Sequence, residues 1–277
     1  LNQARHLALS AGAGFHRSTR RGPDAVAEVV DRIGYVQIDT ISVVARAHEH
    51  VLWSRCGRFS PSPFADLEGG GGERKVLEYW AHAAAYLPVQ DFRYSLPRME
   101  RIRRDGHDWF QVDGKMAEAV LERVRSEGPL SSRDFEDPRR KTEGWWDWKP
   151  AKRALEYLFH AGELLVARRV GFNKVFDLAE RVLPAGLDLR TPSVAEAAAF
   201  YVDRAAASHG LFAEDEVAYG RKDAVDGIGA ELASRVEDGR LVRYTLEGNG
   251  STVYYAPPGA IDTAVGAGDR DLRVRPV

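Results

Sequence analysis

Cysteine is nearly absent from this chain: Cys56 is the only one in 277 residues. It has no partner for an internal disulfide and cannot alone build a thiolate zinc or iron–sulfur site. A reducing cytoplasm is the expected compartment. Long apolar runs are absent as well. None approaches the ~20 residues that a membrane helix requires, and no secretory leader pattern is visible. Nor does charge of one sign dominate, since 39 Lys and Arg stand against 41 Asp and Glu, for a net charge of -2 and a pI near 6.5. That balance argues against a generic nucleic-acid coat, which is usually basic, although a basic stripe can coexist with an acidic remainder. The 44% hydrophobic content is that of an ordinary globular chain. Its length suits one large domain or two to three small ones.

The most informative stretch present is Gly34-Tyr35-Val36-Gln37-Ile38-Asp39-Thr40. In an extended segment, side chains alternate between two faces. Val36 and Ile38 then point into a core, and Tyr35, Gln37 and Asp39 point the other way. Two residues of rise separate Gln37 from Asp39 by roughly 6.6 Å. A carboxylate and an amide at that spacing both reach one small volume, such as a water beside a sugar carbon. Alternation is first a secondary-structure signal, so a half-exposed strand with polar residues in solvent is the plain alternative.

Apolar spacing organises the rest. Leu1, Ala4, Leu7, Ala8 and Ala11 approximate a helix, and Val26, Val29, Val30 and Ile33 form a full helical stripe after Gly22-Pro23-Asp24. Gly34 closes that helix, and helix, turn, helix, strand is the skeleton of a winged helix. Residues 41–112 carry weaker signals. Ser60-Pro61-Ser62-Pro63 and Gly69 to Gly72 mark loops. Arg98, Arg101, Arg103 and Arg104 face one acidic residue, Glu100, and suit either a solvated helix face or a phosphate contact. Ala151, Ala154, Leu155, Leu158 and Phe159 make a helix after Pro150, and residues 164–178 read as two strands about Gly171-Phe172-Asn173. Residues 191–256 repeat this plan, with helices on Val194, Ala198, Tyr201, Val202 and Ala205 and on Val225, Ile228, Leu232 and Val236. The expected fold is α+β and mainly helical, as three tandem winged-helix units spanning 1–112, 113–184 and 185–277.

Residues 34–48 and the continuation Val51-Leu52-Trp53-Ser54-Arg55 resemble winged-helix DNA glycosylases of the YcaQ/AlkZ type. So do Glu78-Tyr79-Trp80-Ala81-His82, and Gly144-Trp145-Trp146-Asp147-Trp148-Lys149-Pro150 running on to Leu178. The resemblance covers most of residues 1–184 and weakens beyond. It implies a tandem winged-helix fold and hydrolysis that leaves an abasic site, with no cofactor. It also implies a catalytic pair, matched here by the Gln-x-Asp form at Gln37 and Asp39. Family members continue into a β-rich C-terminal region, which is not seen after Pro258, so that region is either largely missing or lies beyond Val277.

From these readings the expected activity is monofunctional excision of N7-alkylated purines, with unhooking of interstrand crosslinks as an extension. The expected partner is double-stranded DNA carrying such lesions, met by a monomer with no membrane association. Candidate DNA contacts in the resembling stretches are Arg46, His48, His50, Arg55, Trp80 and His82. A further cationic and aromatic stretch adds Trp145, Trp146, Lys149, Lys152 and Arg153, where cations meet phosphates and rings pack on sugars or unstacked bases. The tryptophans are alternatively core residues. His48-Glu49-His50 also offers two metal-type ligands, but without the cysteine cluster or His-Glu-x-x-His helix of a zinc site. The rival class is a non-enzymatic tandem winged-helix regulator, whose helices would read DNA grooves.

Overall fold

A computed structural model describes residues 2–11, 18–56, 74–108, 110–135, 150–217, 219–220, 226–246 and 251–261. In chain order the elements are α1 (Asn2–Ala11), α2 (Gly22–Ile33), β1 (Val36–Gln37), α3 (Ala47–Arg55), β2 (Val76–Trp80) and β3 (Ala84–Pro88). A 3₁₀ turn over Val89–Ser95 leads into α4 (Leu96–Asp105), α5 (Gly114–Glu127), β4 (Leu130–Ser131), α6 (Pro150–His160), β5 (Leu164–Val170) and β6 (Asn173–Leu178). The remainder is α7 (Ala179–Val182), α8 (Val194–His209), β7 (Phe212–Ala213), α9 (Glu214–Val217), α10 (Ile228–Glu237), β8 (Val242–Thr245) and β9 (Val253–Ala256). Helix exceeds strand. The strand orders are β1-β3-β2, β4-β6-β5 and β7-β9-β8, so one arrangement recurs in all three described sheets.

Two compact units result: residues 1–63 with 81–88 and 192–277, and residues 64–80 with 89–191. In the first, α2 buries Ala25, Val26, Val29 and Val30, the stripe its spacing requires. Its side away from that stripe is tied to α8 by Arg204, whose Nη2 lies 3.0 Å from Asp31 Oδ1. Ala4 of α1 shares a cluster with Leu211 and Ala256, with Leu7 packed against it. The first and last thirds of the chain thus fold together. Ala198, Tyr201, Val202 and Ala205 of α8 join Phe212, Ile228, Leu232 and Tyr255 in the main core here. Val194, expected on that stripe, is instead 59% exposed. It occupies N1 just after the Ser193 capping box, before the helix has turned its apolar side inward.

The second unit is built on α6, whose Ala151, Ala154, Leu155, Leu158 and Phe159 are all buried, with β5 and β6 as its hairpin. The Arg98–Arg104 cations are largely engaged within this unit. Arg98 lies over the Trp80 ring at 5.6 Å, Arg103 donates to the Ala161 carbonyl at 2.8 Å, and Arg104 pairs with Asp105.

His160 ends α6 at 3% exposure, among the rings of His107 (4.6 Å), Trp80 (5.1 Å), Phe159 (5.2 Å) and Phe110 (5.5 Å). Its Nδ1 has no hydrogen-bond partner. Burial, reinforced by the positive charge of His107, Arg98 and Lys174, pushes its pKa down to about 2. In the unfolded chain a histidine titrates near ~6.5. Between these values the unfolded state binds the extra proton, so acidification removes stability at up to about 1.4 kcal/mol per pH unit. Above ~6.5 the two states hold the same charge at this site and the slope vanishes. Urea unfolding between pH 7 and 5 should therefore show a flatter loss for His160→Gln than for the wild type. Equal slopes would mean that His160 takes up its proton in the folded protein.

Candidate active site

The segment carrying Gln37 and Asp39 begins where α2 stops. Gly34 caps that helix at φ 83, with its N–H on the Asp31 carbonyl at 3.3 Å. A side chain at this left-handed φ would be strained. The chain then turns into β1, where Val36 faces Tyr86 and Gln37 faces Ala85 of β3. The Ile38 N–H reaches the Ala84 carbonyl at 2.8 Å. Val36 and Ile38 are buried at 2% and 7%, while Gln37 is exposed and Tyr35 and Asp39 are half-exposed. The alternation is therefore real, but the strand is shorter than expected. Asp39 lies beyond it, because its own carboxylate folds the chain away: Oδ1 accepts the Ile41 N–H at 2.9 Å. An aspartate that bonds backbone two residues on forms a turn rather than a ladder.

Asp39 is held from the other side as well. Its backbone N–H donates to Nδ1 of His48 at 3.2 Å. His48 is 3% exposed on α3, with its ring edge-on to Tyr86 at 6.2 Å. Accepting at Nδ1 leaves Nε2 to carry the imidazole proton. His48 thus holds the Asp39 backbone and is buried rather than open to phosphate. The start of α3 is fixed in turn by Glu49, whose Oε2 accepts the Arg46 N–H at 2.6 Å. Arg46 Nη1 lies 4.0 Å from Glu49 Oε1.

The other candidates fall into distinct groups. Arg55 is half-buried and turned onto its own helix, donating to the Val51 carbonyl at 3.2 Å and to Ser54 Oγ at 2.9 Å. Burial holds its guanidinium below the usual arginine value. His50 is half-buried on α3. His82, in the turn between β2 and β3, meets the Tyr35 ring edge-on at 5.4 Å. Trp80, Lys152 and Arg153 belong to the second unit. There Lys152 is half-buried and Arg153 exposed. Trp145, Trp146 and Lys149 lie outside the described residues.

Sequence reasoning missed Tyr219. Its ring meets His82 at 6.1 Å, and the residue is 72% exposed. The chain can come this close because Gly220 follows: a Cβ there would sit 2.6 Å from the His82 Cβ, at a φ of +70. Tyr35, His82 and Tyr219 form a run of rings that begins two residues before Gln37. No motif announces Tyr219, and it reaches His82 only because the two ends of the chain fold together. Cys56 plays no chemical part in this picture. It is buried at 2%, and burial together with the nearby Glu28 pushes its thiol up to about 11, so it stays protonated and unreactive.

Comparison with known proteins fixes the class of molecule. The model of the DNA glycosylase AlkZ-like family matches residues 30–274, and the chain belongs to that family. It is a DNA glycosylase, with DNA as its substrate, which sets aside the non-enzymatic regulator. Among solved structures it is similar to the Streptomyces sahachiroi DNA glycosylase AlkZ, with a TM-score of 0.60 at 16% identity, over 95% of this chain and 71% of that one. At such low identity the likeness speaks for the fold. Among the described residues, no helix is long and apolar enough to cross a membrane.

Proposed function

We propose that this chain is a monofunctional glycosylase of the Gln-x-Asp type, acting on N7-alkylated purines and unhooking crosslinks through such bases. The observation carrying this reading is the tether on Asp39, whose carboxylate accepts the Ile41 N–H and whose backbone N–H is held by His48, two residues beyond the exposed Gln37. Alkylation at N7 gives the purine a positive charge and makes it a good leaving group without a strong general acid. The cost that remains is the cation-like sugar formed as the glycosidic bond breaks, and its capture by water. A fixed carboxylate stabilises the cation and takes the proton of the attacking water. The Gln37 amide, both donor and acceptor, orients that water. The same strand order in each described sheet, with helices before each wing, supports three winged-helix units at 1–112, 113–184 and 185–277.

The half-exposed position of Asp39 suits lesions that cannot leave the helix. Most enzymes of this kind extrude their target base into a pocket, and a base bonded to the opposite strand cannot make that journey. Incubation with duplex containing N7-methylguanine should release the base and leave an alkali-labile site. The same assay on a purine crosslink should yield unhooked single strands. Stable binding to lesion duplex without base release would contradict the reading.

A further inference from the structure

Two residues beyond Asp39 the chain does something that folded proteins usually avoid. Ile41, Val43 and Val44 are exposed at 71%, 92% and 89%. A single exposed aliphatic residue needs no explanation, but three within four positions, next to a candidate catalytic carboxylate, do. The loop is not independent of the site. The Ile41 N–H is the donor to Asp39 Oδ1, and α3 begins only at Ala47. Where this loop points and how the carboxylate is turned are therefore set together.

We infer that residues 41–44 form an apolar wedge that enters the base stack of the DNA substrate beside the damaged nucleotide. This rests on the proposed role of Asp39. Duplex DNA is the occupant because the loop continues directly from the residue assigned to its glycosidic bond, and because a stacked duplex offers apolar surface once a base step is opened. Apolar side chains inserted between base steps are a recurrent device for unstacking them. The residue types suit that task. β-branched side chains have few rotamers, so Ile41, Val43 and Val44 lose little freedom when they are buried. A wedge also answers a need of the chemistry. If the base cannot be fully extruded, the sugar must be brought to Asp39 by opening the stack locally, and an element beside the carboxylate can do so.

The test uses the full chain and a duplex with 2-aminopurine stacked next to either N7-methylguanine or a tetrahydrofuran abasic analogue. Wild-type binding should raise 2-aminopurine fluorescence on both duplexes. V43S/V44S, altered only at exposed positions, should lose most of that rise and excise at least about 10-fold more slowly in single turnover, the equivalent of roughly 1.4 kcal/mol. Val43→Leu should retain both signals. A mismatch opposite the lesion, which weakens stacking beforehand, should restore much of the lost rate. A wild-type fluorescence rise in V43S/V44S would overturn the wedge, whether or not excision fell. So would a variant that altered only self-association by sedimentation, since the loop would then be covered by a second copy. Failure of the wild type to release N7-methylguanine would count against the functional reading instead, and the abasic-analogue duplex would still test the wedge.

Discussion

Glu78→Ala should destabilise the protein by about 3–5 kcal/mol, because it takes a shared carboxylate from two cations in a nearly dry site. The Glu78 side chain is 1% exposed. It accepts a two-pronged contact from Arg169, Nε to Oε2 and Nη2 to Oε1, both at 2.8 Å. Lys174 Nζ lies 3.6 Å from Oε1 and 2.9 Å from Glu156 Oε2. Burial by itself would lower the Lys174 pKa, but Glu156 and Glu78 outweigh it and raise the value, keeping the lysine charged. The two cations also hold the β5–β6 hairpin. Arg169 lies over the Phe172 ring at 4.4 Å and donates to its carbonyl at 2.7 Å, while Lys174 lies over Phe159 at 4.5 Å. Alanine removes the shared acceptor and leaves the charges buried, a far greater loss than that of an exposed pair. Urea unfolding at pH 7 checks this. A loss below about 1 kcal/mol would show that water reaches the site, and Glu78→Gln should fall between alanine and the wild type.

Asp39→Asn should slow base release by about 10²–10⁴-fold, the range that positioned acid–base groups supply. Asparagine is nearly isosteric, and its carbonyl can still accept the Ile41 N–H now bonded to Oδ1. The backbone bond to His48 does not involve the side chain at all. The substitution therefore removes charge while keeping shape, and DNA affinity should change little. Loss of rate through misfolding would appear as a lower unfolding midpoint, which a near-isosteric change at this half-exposed position gives no reason to expect.

Much of the architecture was legible because burial follows simple periods. The stripes of α2 and α6, the β5–β6 hairpin and the faces of Val36 and Ile38 all follow from spacing alone. α3 was not read, and the reason is physical: only His48 and Leu52 are buried on it, so no apolar stripe exists to find. β2 is buried at four successive positions, which erases the alternation that marks a half-exposed strand. The turn at Asp39 was read as strand because a side chain that bonds its own backbone leaves no periodic trace. His48 looked like a surface contact or a metal ligand, and its bond to the Asp39 backbone requires coordinates. Tyr219 meets His82 through tertiary packing between residues far apart in the chain.

In the proposed mechanism one carboxylate, held just beyond a two-residue strand, stabilises the breaking glycosidic bond. The most direct test is single-turnover release of N7-methylguanine with enzyme saturating, comparing wild type and Asp39→Asn on one duplex while measuring binding to the same DNA. The expected result is equal occupancy with a rate reduced by at least about 100-fold. Equal occupancy and an equal rate would contradict the account and move the chemistry to other residues.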